Sequence, residues 1–434
     1  MNILHLCGFL VVSVGGSILA AADPVLTVDE AIELALIHNE RAEMAREHLT
    51  QADGARREAW AQFLPHLTAT GSYNRTRDLG NFDLGSVGLT MKLLDPTSFP
   101  QLREALALYE ANRLDATELK RALAFDVAEA FAGVLAAEHL VEAAEKRLSV
   151  NDEALKQAQL NVAAGLVARS EVTRTEVEQA TAAGGLVRIR ATVTRTRLAL
   201  GFLLGVPLTR TLVDPVLPQG EPPAVQDLVK EAAQTRLDLR SLGKRTEAAE
   251  QVARQPVMDT LPKLSLQGTA SNGIYLGGAD EAVRNPVDQP AWTMSLVASW
   301  SIYDGGARYG RKERYASLAR ESRLSSSLAY RRMEVDIVAA LADLATAQAS
   351  LSTAEIQVRA ALQNQSEIHA RFSNGLATAI EEADATARAF EASANLTSSR
   401  YALWQSYLAI HRSVGRWPTG AAPARIRNDP TNGK

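Results

Sequence analysis

The sequence predicts a mainly α-helical chain made of two structural repeats, each of which joins long antiparallel coiled-coil helices to two β-strands. Three observations support this fold class. Short motifs recur in the two halves of the chain, and segments of alternating apolar and polar residues stand at matching places in each half. Proline is absent between Pro100 and Pro207 and between Pro290 and Pro418. Because a proline inside a helix costs about 3 kcal/mol, such stretches permit very long helices.

The start of the chain, residues 1–22, is predicted to be a signal peptide. It is apolar or small from residue 6 onwards, and its final alanines fit a signal-peptidase site that leaves Asp23 as the first mature residue. No lysine or arginine precedes the apolar run, and an N-terminal membrane anchor is the alternative. Since Cys7 does not end the apolar run, we expect an exported protein with no N-terminal lipid.

Composition and motifs exclude several classes of protein. The chain carries 46 lysines and arginines against 50 acidic residues, which leaves no basic footprint for nucleic acid. A single cysteine excludes a disulfide framework, and seven scattered histidines show no paired metal-ligand spacing. The mature sequence contains no GxSxG, Walker-type phosphate loop, HExxH motif or cysteine nucleophile. We therefore expect a protein that is not an enzyme and has no cofactor and no metal site.

The chain repeats itself once. Leu-Pro-His-Leu at residues 64–67 recurs as Leu-Pro-Lys-Leu at residues 261–264, and the Gly-Leu pair at 165–166 recurs at 375–376. Two copies of one unit explain the length better than unrelated domains do. The expected divisions are a first repeat at residues 23–215, a second repeat at residues 216–418 and a flexible tail at residues 419–434.

Long helices are predicted in both repeats. Residues 306–373 as one helix would be roughly 100 Å long, which is a coiled-coil length. Seam positions alternate by three and four residues at Leu186, Ile189, Val193, Thr196, Leu200 and Leu203, and again at Ala383, Ala387, Phe390, Ala394, Thr397, Tyr401, Trp404, Leu408 and His411. This period is typical of helices that wrap one another, and an ordinary buried helix face is the alternative. Gly165 and Gly375 suit turns between antiparallel helices.

Four segments alternate apolar and polar residues with the period of a β-strand, at approximately residues 66–76, 82–95, 263–276 and 291–304. Their polar faces are rich in Thr, Ser and Gln, which a water-filled lumen tolerates, and their apolar faces suit the lipid side of a barrel. Soluble hairpins packed on helices are the alternative. Four strands cannot close a barrel, so a chain of this kind that spans a membrane must oligomerise.

Several local motifs carry a resemblance to a known family. They are Leu34-Ala35-Leu36-Ile37-His38-Asn39, Leu64-Pro65 and Leu261-Pro262, Trp300-Ser301-Ile302-Tyr303-Asp304-Gly305-Gly306, Val162-Ala163-Ala164-Gly165-Leu166 with Arg371-Phe372-Ser373-Asn374-Gly375-Leu376, and Leu203-Leu204-Gly205-Val206-Pro207. In their order and twofold recurrence the chain resembles the TolC-like outer-membrane efflux proteins. It departs from the family at Glu40, where the opening helix usually has a proline.

The resemblance implies a homotrimer in the outer membrane of a Gram-negative bacterium, extending into the periplasm. Each chain gives four strands to one shared twelve-stranded β-barrel, and the helices form a trimeric α-barrel tunnel. The implied function is a passive exit duct of a tripartite efflux or type I secretion system, with a periplasmic adaptor, an inner-membrane pump and outer-membrane lipid as partners. The alternative is a periplasmic coiled-coil scaffold without a pore. The cargo is not readable from the sequence.

The resemblance also implies that the tips of the helical hairpins bind the adaptor. Gly165, Leu166, Gly375 and Leu376 fall at these tips. The alternative is that the two glycines only let the chain reverse.

A second implied site is the periplasmic aperture. Glu381 and Asp384 share a helix face at positions i and i+3, and with Glu171 they fall where the family carries paired acidic residues. Ala377 stands where the family has a basic partner, and Arg169 is a candidate replacement. A ring of such carboxylates would disfavour full ionisation and attract cations, especially divalent ones. The alternative is a solvated acidic face.

Overall fold

The structure is a computed structural model that describes residues 25–76, 80–216, 223–276, 291–423 and 426. The predicted signal peptide, residues 1–22, lies outside these residues, and so does most of the predicted tail at residues 419–434.

Both halves of the described chain have the same order of elements: two short helices, two strands, a very long helix and a helix of intermediate length. The first half contains α1 Val28–His38, α2 Glu40–Ala61, β1 His66–Thr76, β2 Gly80–Leu94, α3 Ser98–Ala163 and α4 Arg169–Leu204. The second half contains α5 Val225–Thr235, α6 Leu237–Met258, β3 Lys263–Leu276, β4 Ala291–Ser299, α7 Ala307–Ser373 and α8 Ala379–Val414. The fold is therefore mainly helical, with α3 and α4 forming one antiparallel hairpin and α7 and α8 forming another.

The four strands form one antiparallel sheet in the order β1-β2-β3-β4. One face is polar, and hydroxyls pair across it: Thr70 with Ser86 at 2.6 Å, and Thr269 with Thr293 at 2.7 Å. The opposite face is apolar and exposed, as Trp292 shows with 78% of its surface accessible. The chain therefore leaves a broad apolar surface that none of its own described helices covers.

The last strand is shorter than the sequence predicts, because β4 ends at Ser299 rather than at residue 304. Ser299 pairs with Lys263, the first residue of β3, so no ladder partner remains beyond it. The carbonyls of Ser301 and Ile302 instead accept hydrogen bonds from Arg308, at 2.9 and 3.1 Å. This leads the chain from the sheet into α7.

Two large buried clusters contain residues of α8, the first joining the two halves and the second lying within the second half. The first contains Phe125 and Phe131 of α3, both fully buried, together with Trp404 and Leu408 of α8. The second joins α5, α6 and α7 to another face of α8 through Leu228, Leu239, Met333, Ile337, Leu344, Leu403, Ile410 and Val414. Because α8 contributes to both clusters, it packs the two halves together.

All seam residues that the sequence predicts on α8 are buried or half-buried, but near the hairpin tip the seam is displaced by one residue. Glu382 and Thr386 are fully buried there, whereas Ala383 and Ala387 are half-buried. The displacement arises because α8 packs against α3 as well as α7, so its buried face is wider than the seam of a two-helix coiled coil.

The last helix of each half ends in a glycine that lies against the turn between the first two helices of that half. Gly205 has a positive φ of 72°, and an added Cβ there would lie 2.6 Å from the His38 carbonyl oxygen. Gly415 has a φ of 90°, and an added Cβ there would lie 2.9 Å from the Arg236 backbone nitrogen. Asn39 closes the first junction, since its amide donates to the Leu203 carbonyl at 2.8 Å.

Candidate functional site

The two hairpin tips have the same turn geometry. Gly165 and Gly375 adopt left-handed backbone conformations, with φ of 73° and 74°. The following amides close the turns, Leu166 N–H to the Asn161 carbonyl at 2.9 Å and Leu376 N–H to the Arg371 carbonyl at 2.8 Å. Both leucine side chains point outwards, 71% and 78% exposed. Each tip therefore presents one apolar side chain to its surroundings.

The helices that follow the two turns begin differently. In α8, the Thr378 hydroxyl accepts from the Glu381 N–H, and the Glu381 carboxylate accepts from the Thr378 N–H at 2.8 Å, which completes a capping box. In α4, the corresponding residue is Ala168, whose side chain cannot cap. The backbone and hydroxyl hydrogen bonds from Thr378 hold the pKa of Glu381 below its ordinary value, so this carboxylate is ionised at neutral pH.

The structure brings two of the three predicted aperture residues together. Glu171 and Glu381 line one cavity of about 380 Å³ between the two tips, and Gly375 and Leu376 belong to the same lining. Glu171 is half-buried, and its Oε2 has no hydrogen-bond partner. Asp384 does not belong to this lining.

The charge of Asp384 is balanced locally, because its Oδ2 lies 3.0 Å from Arg388 Nη2 one turn further along α8. Among the described residues Arg169 forms no ion pair, and Arg371 is the cation that acts on Glu381. The suggestion that Arg169 replaces the missing basic partner therefore has no support within one chain.

Sequence reasoning missed a buried carboxylate beside these residues. Glu382 is almost fully buried, and its Oε1 lies 2.8 Å from His369 Nδ1 on α7. Glu153 of α3 approaches the other ring nitrogen of His369 at 3.7 Å, while Glu382 Oε2 and the Thr386 hydroxyl have no partner. Burial raises the pKa of Glu382 and outweighs its hydrogen bond from His369. The sequence signal was the 3–4 spacing of Ala379, Glu382, Thr386 and Ala389, which places an acid on the buried face.

The profile of the family described as outer membrane efflux protein matches residues 31–206 and residues 228–416. The chain belongs to this family. The resemblance based on the sequence motifs is thereby confirmed. No curated protein matches the chain.

Solved outer-membrane channels share the fold of this outer membrane efflux protein. The outer-membrane channel OprN superposes with a TM-score of 0.74 at 21% identity, over 90% of this chain and 90% of its own. The outer membrane protein VceC from Vibrio cholerae gives 0.74 at 18% identity, over 89% and 96%. The open state of the Neisseria gonorrhoeae MtrE outer membrane channel gives 0.72 at 18% identity, over 89% and 88%.

The family is one of outer-membrane transport channels and not of enzymes. Trimers and signal peptides are typical of it. Membership therefore supports an outer-membrane location and a channel role for this chain.

The contact between the buried Glu382 on α8 and His369 on α7 leads to a pH-dependent prediction for this efflux protein. Because the folded-state pKa of Glu382 is raised, its ionisation costs stability above its ordinary pKa of 4.5, and the cost disappears below it. Glu382→Gln removes the charge, so we expect a gain on the order of 1 kcal/mol at pH 7 that vanishes in acid. The measurement is the thermal midpoint as a function of pH.

The matched control is Glu381→Gln, one residue earlier in the same helical turn. Glutamine preserves the capping box, and the pKa of Glu381 is lowered rather than raised, so this change should slightly destabilise the protein at neutral pH. A loss of stability at neutral pH in Glu382→Gln would mean that His369 holds the buried carboxylate as a favourable ion pair.

Proposed function

We propose that three copies of this chain form a passive duct through the outer membrane, from the periplasm to the exterior. The observation that carries the proposal is the two-faced sheet. Its exposed apolar face suits lipid, its hydroxyl-rich face suits a water-filled lumen, and β1 and β4 each have one neighbour within the described sheet. Open strand edges in lipid leave backbone groups unpaired, so the sheets of three copies join into a closed twelve-stranded barrel.

In this proposal each chain is divided into a first repeat at residues 23–215 and a second at residues 216–418. Each repeat contributes two barrel strands and one hairpin, and the six hairpins of the trimer form the periplasmic tunnel. A periplasmic adaptor binds the tips through Leu166 and Leu376, and an inner-membrane pump supplies energy for tripartite efflux or type I secretion. The exposure of both leucines directly after the left-handed glycines supports this contact.

Glu171, Glu381 and Asp384 line the periplasmic aperture in the proposed trimer. The shared cavity of Glu171 and Glu381 supports their joint action, and the lowered pKa of Glu381 keeps that carboxylate charged. Carboxylates brought near one axis favour cations over anions and bind divalent cations. The proposed duct is therefore cation-selective and is blocked by divalent cations from the periplasmic side.

The experiment measures single-channel conductance in planar bilayers, on protein whose mass in detergent is first determined by light scattering. We expect a trimer, and we expect Glu381→Gln with Asp384→Asn to lower cation preference and divalent block. Glutamine is chosen because it keeps the α8 capping box, which alanine would remove. A monomeric mass or a chain soluble without detergent would instead favour the periplasmic scaffold.

The control carries the same charge change away from the tip, as Glu391→Gln with Asp343→Asn, two exposed acids on α8 and α7. If both double variants lost cation selectivity equally, the overall charge of the tunnel, and not the tip residues, would determine selectivity. If Glu381→Gln with Asp384→Asn left cation selectivity unchanged, Glu381 and Asp384 would not line the aperture.

A further inference from the structure

A cavity of about 490 Å³ lies where the sheet meets the helices, and we call it the junction cavity. Leu94 at the end of β2, Phe99 in the first turn of α3, Met258 at the end of α6 and Leu261 before β3 form its apolar wall. Leu94, Phe99 and Leu261 are each about half exposed. The cavity is thus an apolar recess that opens to the surroundings.

The junction cavity also carries two guanidinium groups, from Arg103 on α3 and Arg254 on α6. Both side chains are exposed, and neither forms an ion pair or hydrogen bond with any residue that the structure describes. Their positive charges are therefore available to a ligand.

The neighbouring carboxylates are engaged elsewhere. Glu104 accepts a hydrogen bond from Gln255 at 2.9 Å. Asp95 forms ion pairs with Lys92 at 3.3 Å and with Lys263 at 3.8 Å. Asp259 forms ion pairs with Lys263 at 2.9 Å and with Arg311 at 3.2 Å. None of these acids lies within ion-pair distance of Arg103 or Arg254.

A buried amide points to a ligand independently of these charges. Gln251 on α6 lines the junction cavity, is only 8% exposed, and has an Oε1 without a hydrogen-bond partner. An unsatisfied buried acceptor is costly, so the site favours a ligand that brings a donor to this oxygen.

The register of the sheet places the junction cavity on the apolar side. Leu94 pairs directly with Leu264, and opposed residues of an antiparallel ladder lie on the same face. Two residues further along β3, Leu266 pairs with Leu296, so these leucines continue the same apolar face. The cavity wall is therefore continuous with the face that suits lipid.

We propose that the junction cavity binds an anionic glycerophospholipid of the inner leaflet of the outer membrane. Arg103 and Arg254 bind its phosphate, Gln251 Oε1 accepts from a head-group hydroxyl, and the acyl chains begin on the apolar wall and continue along the sheet. Two uncompensated cations favour a head group with a net negative charge, such as phosphatidylglycerol. The inference rests on the proposed function in one respect, that the sheet spans the outer membrane.

The experiment is native mass spectrometry of the full mature protein in detergent, titrated with palmitoyl-oleoyl phosphatidylglycerol. We expect one tightly retained lipid per chain, and about tenfold or more weaker binding in Arg103→Gln with Arg254→Gln. The control is Arg240→Gln with Arg359→Gln, which removes two exposed arginines from α6 and α7 and should leave binding unchanged. Equal binding by the cavity variant and the wild type overturns the proposal.

Two further arms identify the ligand and the role of the amide. Excess inorganic phosphate should fail to displace the lipid, and full displacement would show a free-phosphate site instead.

Gln251→Leu should weaken lipid retention while raising the lipid-free thermal midpoint, because it removes an unsatisfied buried oxygen. Unchanged retention in Gln251→Leu overturns its role as a ligand. Failure of the lipid assay leaves single-channel conductance intact, so it is distinguishable from failure of the proposed duct.

Discussion

Replacing Gly205 by alanine is expected to destabilise the protein by about 3 kcal/mol or more. Its left-handed backbone costs an L-residue about 1–2 kcal/mol, and the new Cβ would lie 2.6 Å from the His38 carbonyl oxygen, an overlap that costs a further 1–3 kcal/mol or so. The end of α4 would have to move away from the turn between α1 and α2. The measurement is the midpoint of guanidinium unfolding followed by circular dichroism.

Gly165→Ala provides the matched control, because Gly165 has nearly the same φ and no atom within 4 Å of an added Cβ. It should lose only the conformational part, about 1–2 kcal/mol. Equal losses at the two positions would mean that the contact with His38 relaxes without cost.

Phe131→Ala is expected to cost about 3–5 kcal/mol, because it leaves a cavity in the main buried cluster. Phe131 is fully buried on α3 beside residues of α4 and α8, so the loss should also loosen the packing between the two halves. Guanidinium unfolding of Phe131→Ala beside Phe202→Ala checks this. Phe202 is 74% exposed on α4, and its truncation should change stability by less than about 0.5 kcal/mol. Comparable losses would contradict the assignment of the core.

The long helices could be predicted from the sequence because local features of the sequence determine where they begin and end. The helix expected at residues 306–373 is observed as Ala307–Ser373, since no proline interrupts it and two positive-φ glycines precede it. The strand alternation likewise shows which residues share a face. Where β4 ends could not be read, because that depends on where its partner β3 begins.

The candidate site could be predicted only in part, because some of its features depend on packing between segments that are distant in the sequence. Thr378 followed three residues later by Glu381 is a recognisable capping box, so the local role of Glu381 was available from the sequence. The burial of Glu382 depends on α3 packing against α8, which a two-helix seam does not contain. The junction cavity is still less accessible to sequence reasoning, because Leu94, Gln251 and Leu261 meet only after the two halves have packed together.

The unequal caps of the two hairpins have a mechanical consequence. A capping residue stabilises the first helical turn by about 1 kcal/mol. Helix α8 has such a residue, Thr378, whereas α4 follows Ala168, whose side chain cannot cap. The start of α4 should therefore fray more readily, and its amide protons should exchange with solvent faster than those at the start of α8. In the proposed trimer, each chain would bring one weakly capped tip and one well-capped tip to the periplasmic end. A force applied evenly to all the tips would first loosen the three α3–α4 hairpins.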